Sequence, residues 1–244
     1  MFFAKGGFMK RHLWLLLAGI VLACPGSVGL ADDFKTEDGY ISLFNGKDLT
    51  GWRLGGTKLD GKTETKNKKW HVDNETIIID GGGGGDIYTV KEFNQDFHLK
   101  LEFRAAKGAD SGLFIRGPQL QVRDYPRAGP YNKVKFNDFD WNELDVTVRG
   151  GVVTTTVNGK TLTAKDVLEL SVKDGQPQAM LNGKSVDVNK ITVEKGAVAL
   201  CKCNGQVIEK AFKVNSKGGI GLQSETAKFE FRRIRIKMLE GKGG

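Results

Sequence analysis

The stretch FHLKLEFR occupies residues 97–104 and alternates apolar with polar side chains without interruption. One face carries Phe97, Leu99, Leu101 and Phe103, and the other carries histidine, lysine, glutamate and arginine. Because successive side chains of a β-strand point to opposite faces, this period of two predicts a strand with one face buried and the other in solvent. The stretch therefore favours a sheet that packs one side against a core.

The same alternation recurs along the rest of the chain. It is found in LDVTVRG (144–150), VVTTTVNGKTLT (152–163), AVALCKC (197–203) and KFEFRRIRIKML (228–239). Helical periodicity is scarce: only AKDVLELSV (164–172) suits a helical turn or two, and it suits a strand equally well.

Turn signals separate these runs. Asn158-Gly159, Asn182-Gly183 and Asn204-Gly205 are dipeptides that favour tight hairpins. Together with the alternation they predict an all-β fold, a two-sheet antiparallel β-sandwich.

The composition suits one globular domain. The chain has 244 residues, of which 39% are hydrophobic and 27% charged. We predict a single domain over 32–240, followed by a flexible tail at 241–244.

The N-terminal segment resembles a secretory signal peptide. Lys10 and Arg11 precede the apolar run LWLLLAGIVLA, which is too short to span a bilayer, and small residues follow it. Cleavage after residue 31 would give an exported chain, periplasmic or secreted, that begins at Asp32. Alternatively, Val-Leu-Ala-Cys serves as a lipobox, and lipidation of Cys24 would anchor the chain to a membrane.

Charge argues against a nucleic-acid partner. Removal of residues 1–31 takes away Lys5, Lys10 and Arg11 and no acid, so the net charge falls from +8 to +5. The remaining lysines and arginines are scattered among acids, and no basic stripe is visible.

Several conspicuous residues have ordinary explanations. GGGGG at 81–85 lacks the Gly-Lys-Ser/Thr ending of a phosphate-binding loop, so we interpret it as a flexible loop between strands. Cys201 and Cys203 fall on one side of a strand and are interpreted as packed thiols. His71 and His98 are single, so neither completes a triad or a zinc site.

Seven motifs together resemble one family. In chain order they are ISLFNGKDLTGWR (41–53), WHVDN (70–74), DFHLKLEFR (96–104), DSGLFIRG (110–117), QLQVRD (119–124), WN followed by NG (141–142, 158–159) and GGIGLQSETAKFEFRRIRIKML (218–239). The chain closely resembles the 3-keto-disaccharide hydrolase domain, also described as 3-keto-glucoside lyase and 3-keto-2-hydroxyglucal hydratase.

The resemblance implies a concanavalin A-like jelly roll that acts on a 3-keto sugar or oligosaccharide. A ketone at C3 acidifies the hydrogen at C2, so a base can remove it and the oxygen on C1 can leave by elimination. Addition of water then completes a net hydrolysis. The chain has no nicotinamide-binding fingerprint, so a separate glycoside 3-oxidoreductase is expected to supply the substrate.

Such an enzyme needs a base, a stabiliser for the enolate oxygen and an acid for the leaving oxygen. We predict Glu102 as acid or base, and Arg104, beside it on the same strand face, as a substrate-binding residue. The alternative for Glu102 is a plain ion pair. Arg116 is the predicted enolate or hydroxyl clamp, and its alternative is a salt bridge that pins the hairpin.

The family's Glu-x-Gln-x-x-Asp block adds further candidates. Asp124 is a predicted catalytic group, and with Gln121 it can grip adjacent sugar hydroxyls or lend oxygens to a divalent cation such as calcium. No cofactor beyond that is expected. Glu225 is a second candidate acid at the rim of the site.

The tryptophans allow two interpretations. Trp52, Trp70 and Trp141 each offer a ring for sugar stacking, but a large side chain in a sandwich more often fills the core. We interpret Trp52 and Trp70 as core residues and Trp141 as a sugar platform.

Two positions depart from the family pattern. Asp110 stands where the family usually has asparagine, and Gln119 stands where it usually has glutamate. If that glutamate is the base, this chain binds sugar without cleaving it; if it orients substrate, Gln119 is a mild change. A domain without a sugar ligand, attached to the envelope, is a third possibility.

Overall fold

The computed structural model describes residues 34–123, 136–137 and 139–240. The predicted signal peptide, Cys24, Asp124 and the predicted tail at 241–244 lie outside the described residues. The strands are β1 Ile41–Ser42, β2 Trp52–Leu54, β3 Thr57–Lys58, β4 Trp70–Asp73, β5 Thr76–Asp80, β6 Ile87–Thr89, β7 Phe97–Ala105, β8 Ser111–Ile115, β9 Gln119–Arg123, β10 Asn142–Val157, β11 Lys160–Thr161, β12 Leu168–Lys173, β13 Gln176–Leu181, β14 Lys184–Val186, β15 Ile191–Cys203, β16 Gln206–Asn215, β17 Ile220–Leu222 and β18 Lys228–Met238. Within the described ranges, the one helical element is a 3₁₀ turn at Val188–Lys190.

Two antiparallel sheets form the sandwich. Sheet 1 has the order β16-β15-β10-β7-β18-β5-β4, with β1 added to β18 and β11 added to β10. Sheet 2 has the order β3-β2-β6-β17-β8-β9. The all-β jelly-roll sandwich predicted from the sequence is thereby confirmed.

The core lies between the sheets and follows the predicted alternation. On β7 the four apolar side chains from Phe97 to Phe103 are at most 1% exposed, and their polar neighbours face outward. Sheet 2 contributes Leu113 and Ile115 from β8 and Leu120 and Val122 from β9. The outer faces of the two sheets are therefore on opposite sides of the sandwich.

Trp52 and Trp70 are both fully buried, which confirms their interpretation as core residues. Each indole N–H donates to a backbone carbonyl, from Trp52 to Leu43 at 2.8 Å and from Trp70 to Gly85 at 2.7 Å. Burial of an indole ring is favourable when its N–H keeps a hydrogen-bond acceptor, and both indoles have one.

The two described cysteines, Cys201 and Cys203, are buried free thiols on the inner side of β15. Burial raises the pKa of each thiol to about 12. They are packed thiols, as predicted.

The Asn-Gly turns are also confirmed. Asn158, Asn182 and Asn204 have φ of 49° to 51°, and the following glycines have φ of 75° to 77°. Positive φ at both central residues is the geometry of the type I′ hairpin turn. The ambiguous stretch at 164–172 enters strand β12, which pairs with β13 and β14 in a small third sheet.

The first described residues lie over the outer face of sheet 1. Glu37 accepts hydrogen bonds from Arg235 Nε at 2.5 Å and from Arg235 Nη2 at 2.8 Å, and Lys100 lies 3.5 Å away. The hydrogen bonds from Arg235 hold the pKa of Glu37 at about 2, well below its usual 4.5.

This pair predicts a pH dependence of stability. A carboxyl with a lowered folded pKa contributes stability above its unfolded pKa, near 4.5, and loses it as the pH falls through about 2. We expect the stability advantage of the native chain over Glu37→Gln to be full at pH 6 and to shrink between pH 4.5 and 2. Urea unfolding of both proteins across this pH range measures the difference between their free energies of unfolding. A difference that stays constant with pH would contradict the assignment.

Candidate functional site

The outer face of sheet 2 carries a row of side chains across five strands. Strand register places Arg53 opposite Tyr88, Tyr88 opposite Gly221, Gly221 opposite Phe114, and Phe114 opposite Gln119. The inward neighbours of these residues are the core residues of the same strands. The row is thus one continuous surface with a cation at one end and an amide at the other.

Two glycines form the floor of this surface. A Cβ on Gly112 would lie 2.4 Å from Nε2 of Gln119, and a Cβ on Gly221 would lie 2.5 Å from the ring of Tyr88. Neither glycine has a positive φ. Each glycine is therefore required because a side chain at its position would collide with a neighbour, and not because of its backbone conformation. The side chains of Gln119 and Tyr88 lie across these two glycines.

Three glutamines and one aspartate form a hydrogen-bonded group, here called the amide cluster: Asp110, Gln119, Gln121 and Gln223. Gln119 Nε2 donates to Gln121 Oε1 at 3.1 Å and to Gln223 Oε1 at 2.8 Å. Gln121 Nε2 in turn donates to a carboxylate oxygen of Asp110. Asp110 is 4% exposed, so its polar atoms need hydrogen-bond partners within the protein.

Backbone pairing holds the cluster in place. Asp110 exchanges hydrogen bonds with Thr226, at 3.0 and 3.3 Å, and Ser111 Oγ donates to the carbonyl of Gln223 at 2.8 Å. The backbone N–H of Gln223 donates to the carbonyl of Gly112 at 3.0 Å. The start of β8 and the end of β17 are thus locked together beneath the glutamine side chains.

An aromatic pair borders the amide cluster. The rings of Tyr88 and Phe114 are 5.2 Å apart, and the guanidinium of Arg53 lies 5.5 Å from the Tyr88 ring. Burial, with a smaller contribution from Asp86, raises the pKa of Tyr88 above its usual 10. Its hydroxyl is therefore neutral at physiological pH and able to donate a hydrogen bond.

The pentaglycine loop forms one rim of the face. Gly84 N donates to Ser224 Oγ at 3.0 Å, and Ser224 N donates to Asp86 at 2.9 Å. Glu225 is the next residue, in the turn that packs against this loop, since a Cβ on Gly82 would lie 2.2 Å from the Glu225 carbonyl. The predicted rim position of Glu225 is consistent with this turn, and its role as an acid stays a prediction.

Arg116, which we predicted as an enolate or hydroxyl clamp, is enclosed in the protein and does not share the outer face of Gln119. Its φ of 52° at the end of β8 interrupts the alternation, and the side chain is 1% exposed. It donates to the carbonyl of Gln95 and lies 5.0 Å from the ring of Phe97, and burial lowers its pKa. This enclosure favours a structural role for Arg116, and its role as a clamp stays a prediction.

Glu102 lies on the outer face of sheet 1, on the other side of the sandwich from the amide cluster. It accepts hydrogen bonds from Arg232 at 2.7 Å and Arg233 at 2.6 Å, and its side chain is 14% exposed. Its partners are therefore not Arg104, as the sequence suggested, but two arginines of β18. This geometry favours the ion-pair alternative, and a catalytic role for Glu102 stays a prediction.

Arg104 and Trp141 accompany Glu102. Arg104 forms a two-point ion pair with Glu230, at 2.5 and 3.2 Å. Burial alone would raise the pKa of Glu230, but the hydrogen bonds from Arg104 and Lys228 lower it overall. The Trp141 ring lies 3.9 Å from the Arg232 guanidinium and 4.7 Å from that of Arg104.

The sequence-predicted residues are thus divided between two faces. Gln119 and Gln121 lie on sheet 2; Glu102, Arg104 and Trp141 lie on sheet 1; Arg116 is internal. Asp124 follows β9 and lies outside the described residues. A protein site needs its groups together, so these residues do not form one centre.

Sequence reasoning missed Tyr88, Phe114 and Gln223 as members of the face. The alternation within IYT, GLFI and GLQ carried the necessary signal, because each places one outward side chain beside a buried one. It also missed an interaction of His98, whose Nδ1 lies 2.6 Å from the Tyr40 hydroxyl and whose Nε2 lies 2.8 Å from Asp145.

Residues 34–123, 136–137 and 139–240 contain no group of three His, Cys, Asp or Glu side chains that could hold a metal ion. The same residues contain no helix long and apolar enough to cross a membrane. A calcium ion shared by Gln121 and Asp124 stays a prediction.

The sequence profile of the 3-keto-alpha-glucoside-1,2-lyase-like domain matches residues 39–237. The chain belongs to this family. It is also 26% identical over 257 aligned positions to a 3-keto-disaccharide hydrolase of Bacteroides thetaiotaomicron, covering 83% of this chain and 79% of that protein. The resemblance stated from the motifs is confirmed.

Two solved structures are also similar to this chain. A glycosyl-hydrolase candidate from Parabacteroides distasonis is 20% identical, with 83% of this chain and 94% of that one covered and a TM-score of 0.47. The β-glucanase of Bacillus licheniformis is 13% identical, with coverage of 82% and 97% and a TM-score of 0.34. The family assignment rests on the sequence match and not on these structures.

Proposed function

We propose that this member of the 3-keto-alpha-glucoside-1,2-lyase-like family cleaves 3-keto-glycosides at the outer face of sheet 2. The observation that carries the proposal is the amide cluster beside Tyr88 and Phe114. Fixed amides that donate and accept hydrogen bonds suit sugar hydroxyls, and aromatic rings suit the apolar faces of a sugar ring. The matched family and the homologue named for 3-keto-disaccharide hydrolysis support the choice of substrate.

The chemistry follows from the ketone. A carboxylate removes the proton on C2, and the electron pair of that bond forms the C2–C3 double bond of an enolate with negative charge on the C3 oxygen. Return of that pair expels the C1 oxygen, which takes up a proton, and leaves a double bond between C1 and C2. Addition of one water across that bond gives the net hydrolysis product.

The groups on the outer face of sheet 2 suit different steps of this reaction. Amide N–H groups and the neutral Tyr88 hydroxyl donate to oxygens, which is the interaction an enolate oxygen needs. The carboxylates assigned or predicted to this face are Asp110, Glu225 and Asp124. Of these, Asp124 remains a predicted catalytic group and Glu225 a predicted acid.

Incubation of the purified protein with an aryl 3-keto-glucoside tests the proposal. We expect aryl alcohol to be released from the ketone and not from the matching unoxidised glucoside, because only the ketone acidifies C2. The absence of release at enzyme concentrations equal to that of the substrate would refute it.

Gln119 favours one alternative, a carbohydrate-binding domain without catalysis. An amide cannot accept the C2 proton, so the chain would then hold sugars with the same cluster and release nothing. Calorimetric binding of the ketone without turnover would identify this case.

Export and pathway position complete the proposal. The predicted signal peptide would deliver the enzyme to the periplasm or the medium, with anchoring through Cys24 as the alternative. A glycoside 3-oxidoreductase would supply the ketone. Mass spectrometry of the mature N-terminus distinguishes a chain that begins at Asp32 from one that begins at a lipidated Cys24.

A further inference from the structure

The small third sheet has an exposed edge strand, β12 (Leu168–Lys173). The strand order is β12-β13-β14, and among the described strands β12 pairs only with β13. Five of the six residues of β12 are exposed, and no proline or bulge interrupts the strand. The unpaired N–H and C=O groups of such an edge can pair with a strand of another chain, and prolines and bulges are common protections against it.

The hairpin between β12 and β13 determines which backbone groups of β12 are directed inward. Asp174 and Gly175 have φ of 51° and 77°, the geometry of a type I′ turn. Lys173 and Gln176 flank this turn and face each other in the strand register. The residues that flank a two-residue turn form a hydrogen-bonded pair, so Lys173 directs its backbone N–H and C=O toward β13.

The same phase holds along the whole strand. At its far end, the N–H of Asn182 donates to the carbonyl of Val167 at 2.9 Å. Near the turn, Val172 faces Pro177, which has no N–H to donate. Because hydrogen-bonded pairs alternate with non-hydrogen-bonded pairs, every second residue of β12 turns its backbone groups away from β13. These residues are Leu168, Leu170 and Val172.

Two copies of β12 are complementary in one antiparallel register. With Ser171 of one copy opposite Ser171 of the other, Leu170 faces Val172, and the outward backbone groups of both residues meet. Glu169 then faces Lys173 of the other copy. A shift by two residues, the smallest that keeps the backbone groups in phase, separates this acid from this base. Two-fold symmetry repeats each contact and gives two apolar pairs and two ion pairs.

The charged residues of β12 face neutral residues of β13. Strand register sets Glu169 opposite Met180 and Lys173 opposite Gln176, and both charged side chains are exposed. Charges on an edge usually discourage pairing, but in this register each acid meets a base. Non-hydrogen-bonded pairs bring side chains closest together, and Glu169 and Lys173 of the two copies form such a pair.

The apolar side of β12 is also exposed. Leu170 and Val172 are 68% and 74% exposed. They line a groove of about 520 Å³, and the same groove is lined by Pro177, Val188 and Ile191. In the register above, each leucine lies beside the valine of the other copy. Pairing therefore covers apolar surface that a single chain leaves in water.

We propose that the protein forms a symmetric dimer through antiparallel pairing of β12 with β12 of a second copy. The occupant of the edge is a second copy because the strand itself supplies the opposite charge and the apolar partner at the facing positions. Standard interfaces use about 20–30 residues from each partner, so a pairing of one short strand per copy gives a weak dimer. Strand β12 belongs to neither sheet of the sandwich, so this inference is independent of the proposed function.

Sedimentation equilibrium of the purified protein tests the dimer. We expect monomer at about 1 µM and a substantial fraction of dimer at about 300 µM, the range of a weak interface. Lys173→Glu places two acids opposite each other in both ion pairs and is expected to raise the dissociation constant about tenfold or more. Glu169→Lys should do the same with two bases. A native chain that stays monomeric throughout this range would overturn the proposal.

Exchange of the charges tests the register. The double variant E169K/K173E restores both ion pairs with their signs exchanged, so its dissociation constant should lie within about threefold of the native one. An equimolar mixture of E169K and K173E should form a heterodimer, because one chain then carries two bases and the other two acids. Lys184→Glu, on β14, alters the net charge as K173E does and should leave the native constant unchanged. Equal weakening by K184E and K173E, or no recovery in the double variant, would overturn the pairing.

Proline substitution tests the backbone contact. Val172→Pro removes an N–H that points away from β13, so the ladder within the chain is retained while the dimer loses one donor from each copy. Ser185→Pro is the matched control, since Ser185 has the same outward phase on β14, at the opposite edge. We expect V172P to raise the dissociation constant about tenfold or more and S185P to dimerise as the native chain does. An unchanged constant in V172P would overturn the proposal. Melting temperatures show whether both variants fold, and the charge variants decide the proposal if V172P does not.

Discussion

Replacement of Gln121 by alanine is expected to lower kcat/KM for an aryl 3-keto-glucoside by about 100-fold, the scale of losing one preorganised polar group in an active site. Gln121 is the amide that connects Asp110 with Gln119. Its loss removes the constraint on the orientation of Gln119 and leaves the buried carboxylate of Asp110 without this donor. Gln178, an exposed glutamine of β13, provides the control, and Gln178→Ala should retain the native rate.

The substitution Glu102→Gln tests whether the active site lies on the other side of the sandwich, at the outer face of sheet 1. The amide keeps the shape of Glu102 but loses the charge that faces Arg232 and Arg233. We expect E102Q to lower the free energy of unfolding by about 1–3 kcal/mol, since two partly buried arginines lose a charged acceptor. A loss of turnover in E102Q with native turnover in Gln121→Ala would place the active site on sheet 1 instead.

Trp70→Ala is expected to lower the free energy of unfolding by about 3–5 kcal/mol, because it leaves a large cavity in the core. That is a large share of the roughly 5–15 kcal/mol that stabilises a typical domain. The indole is fully buried, lies 6.5 Å from the ring of Phe231, and donates to the carbonyl of Gly85. The substitution therefore also releases the pentaglycine loop that borders the amide cluster.

Denaturant unfolding of three variants measures this contribution. Trp70→Phe should be less destabilising than Trp70→Ala, since it retains the aromatic contact and loses the hydrogen bond to Gly85. Trp141→Ala should cost about 1–2 kcal/mol, because a partly exposed ring loses its contacts with two guanidinium groups and leaves no core cavity. Equal losses for Trp70→Ala and Trp141→Ala would contradict the core assignment of Trp70.

The fold could be predicted because its signal is local. Alternation in β7 and β18 fixes which side chains enter the core, and the Asn-Gly turns fix the hairpins. An alternation with a period of two can be recognised from neighbouring residues alone. The sequence did not decide between helix and strand at 164–172. The apolar residues of this stretch are mostly exposed in the small third sheet, so burial imposes little pattern on them.

The site could be predicted only in part because it depends on which sheet each strand joins. Glu102 and Gln121 both belong to outward strand faces, and nothing in their local sequence shows that those faces are on opposite sides. Alternation does not predict the direction of the Arg116 side chain, because the φ of this residue is 52° and interrupts the strand pattern. Asp110 was noted as a departure, but its contact with Gln121 requires β9 to lie beside β8.

The strict division of β8 and β9 into inner and outer side chains has a consequence for how this chain can evolve. Leu113, Leu120 and Val122 carry the packing, while Gln119 and Gln121 contribute almost nothing to the core. Substitutions of these outward side chains can therefore alter the surface of the face with little loss of core packing. Gly112 and Gly221 are the exceptions, since any side chain there displaces a neighbour. We expect natural variation to be broad at the outward side chains of this face and narrow at its two glycines.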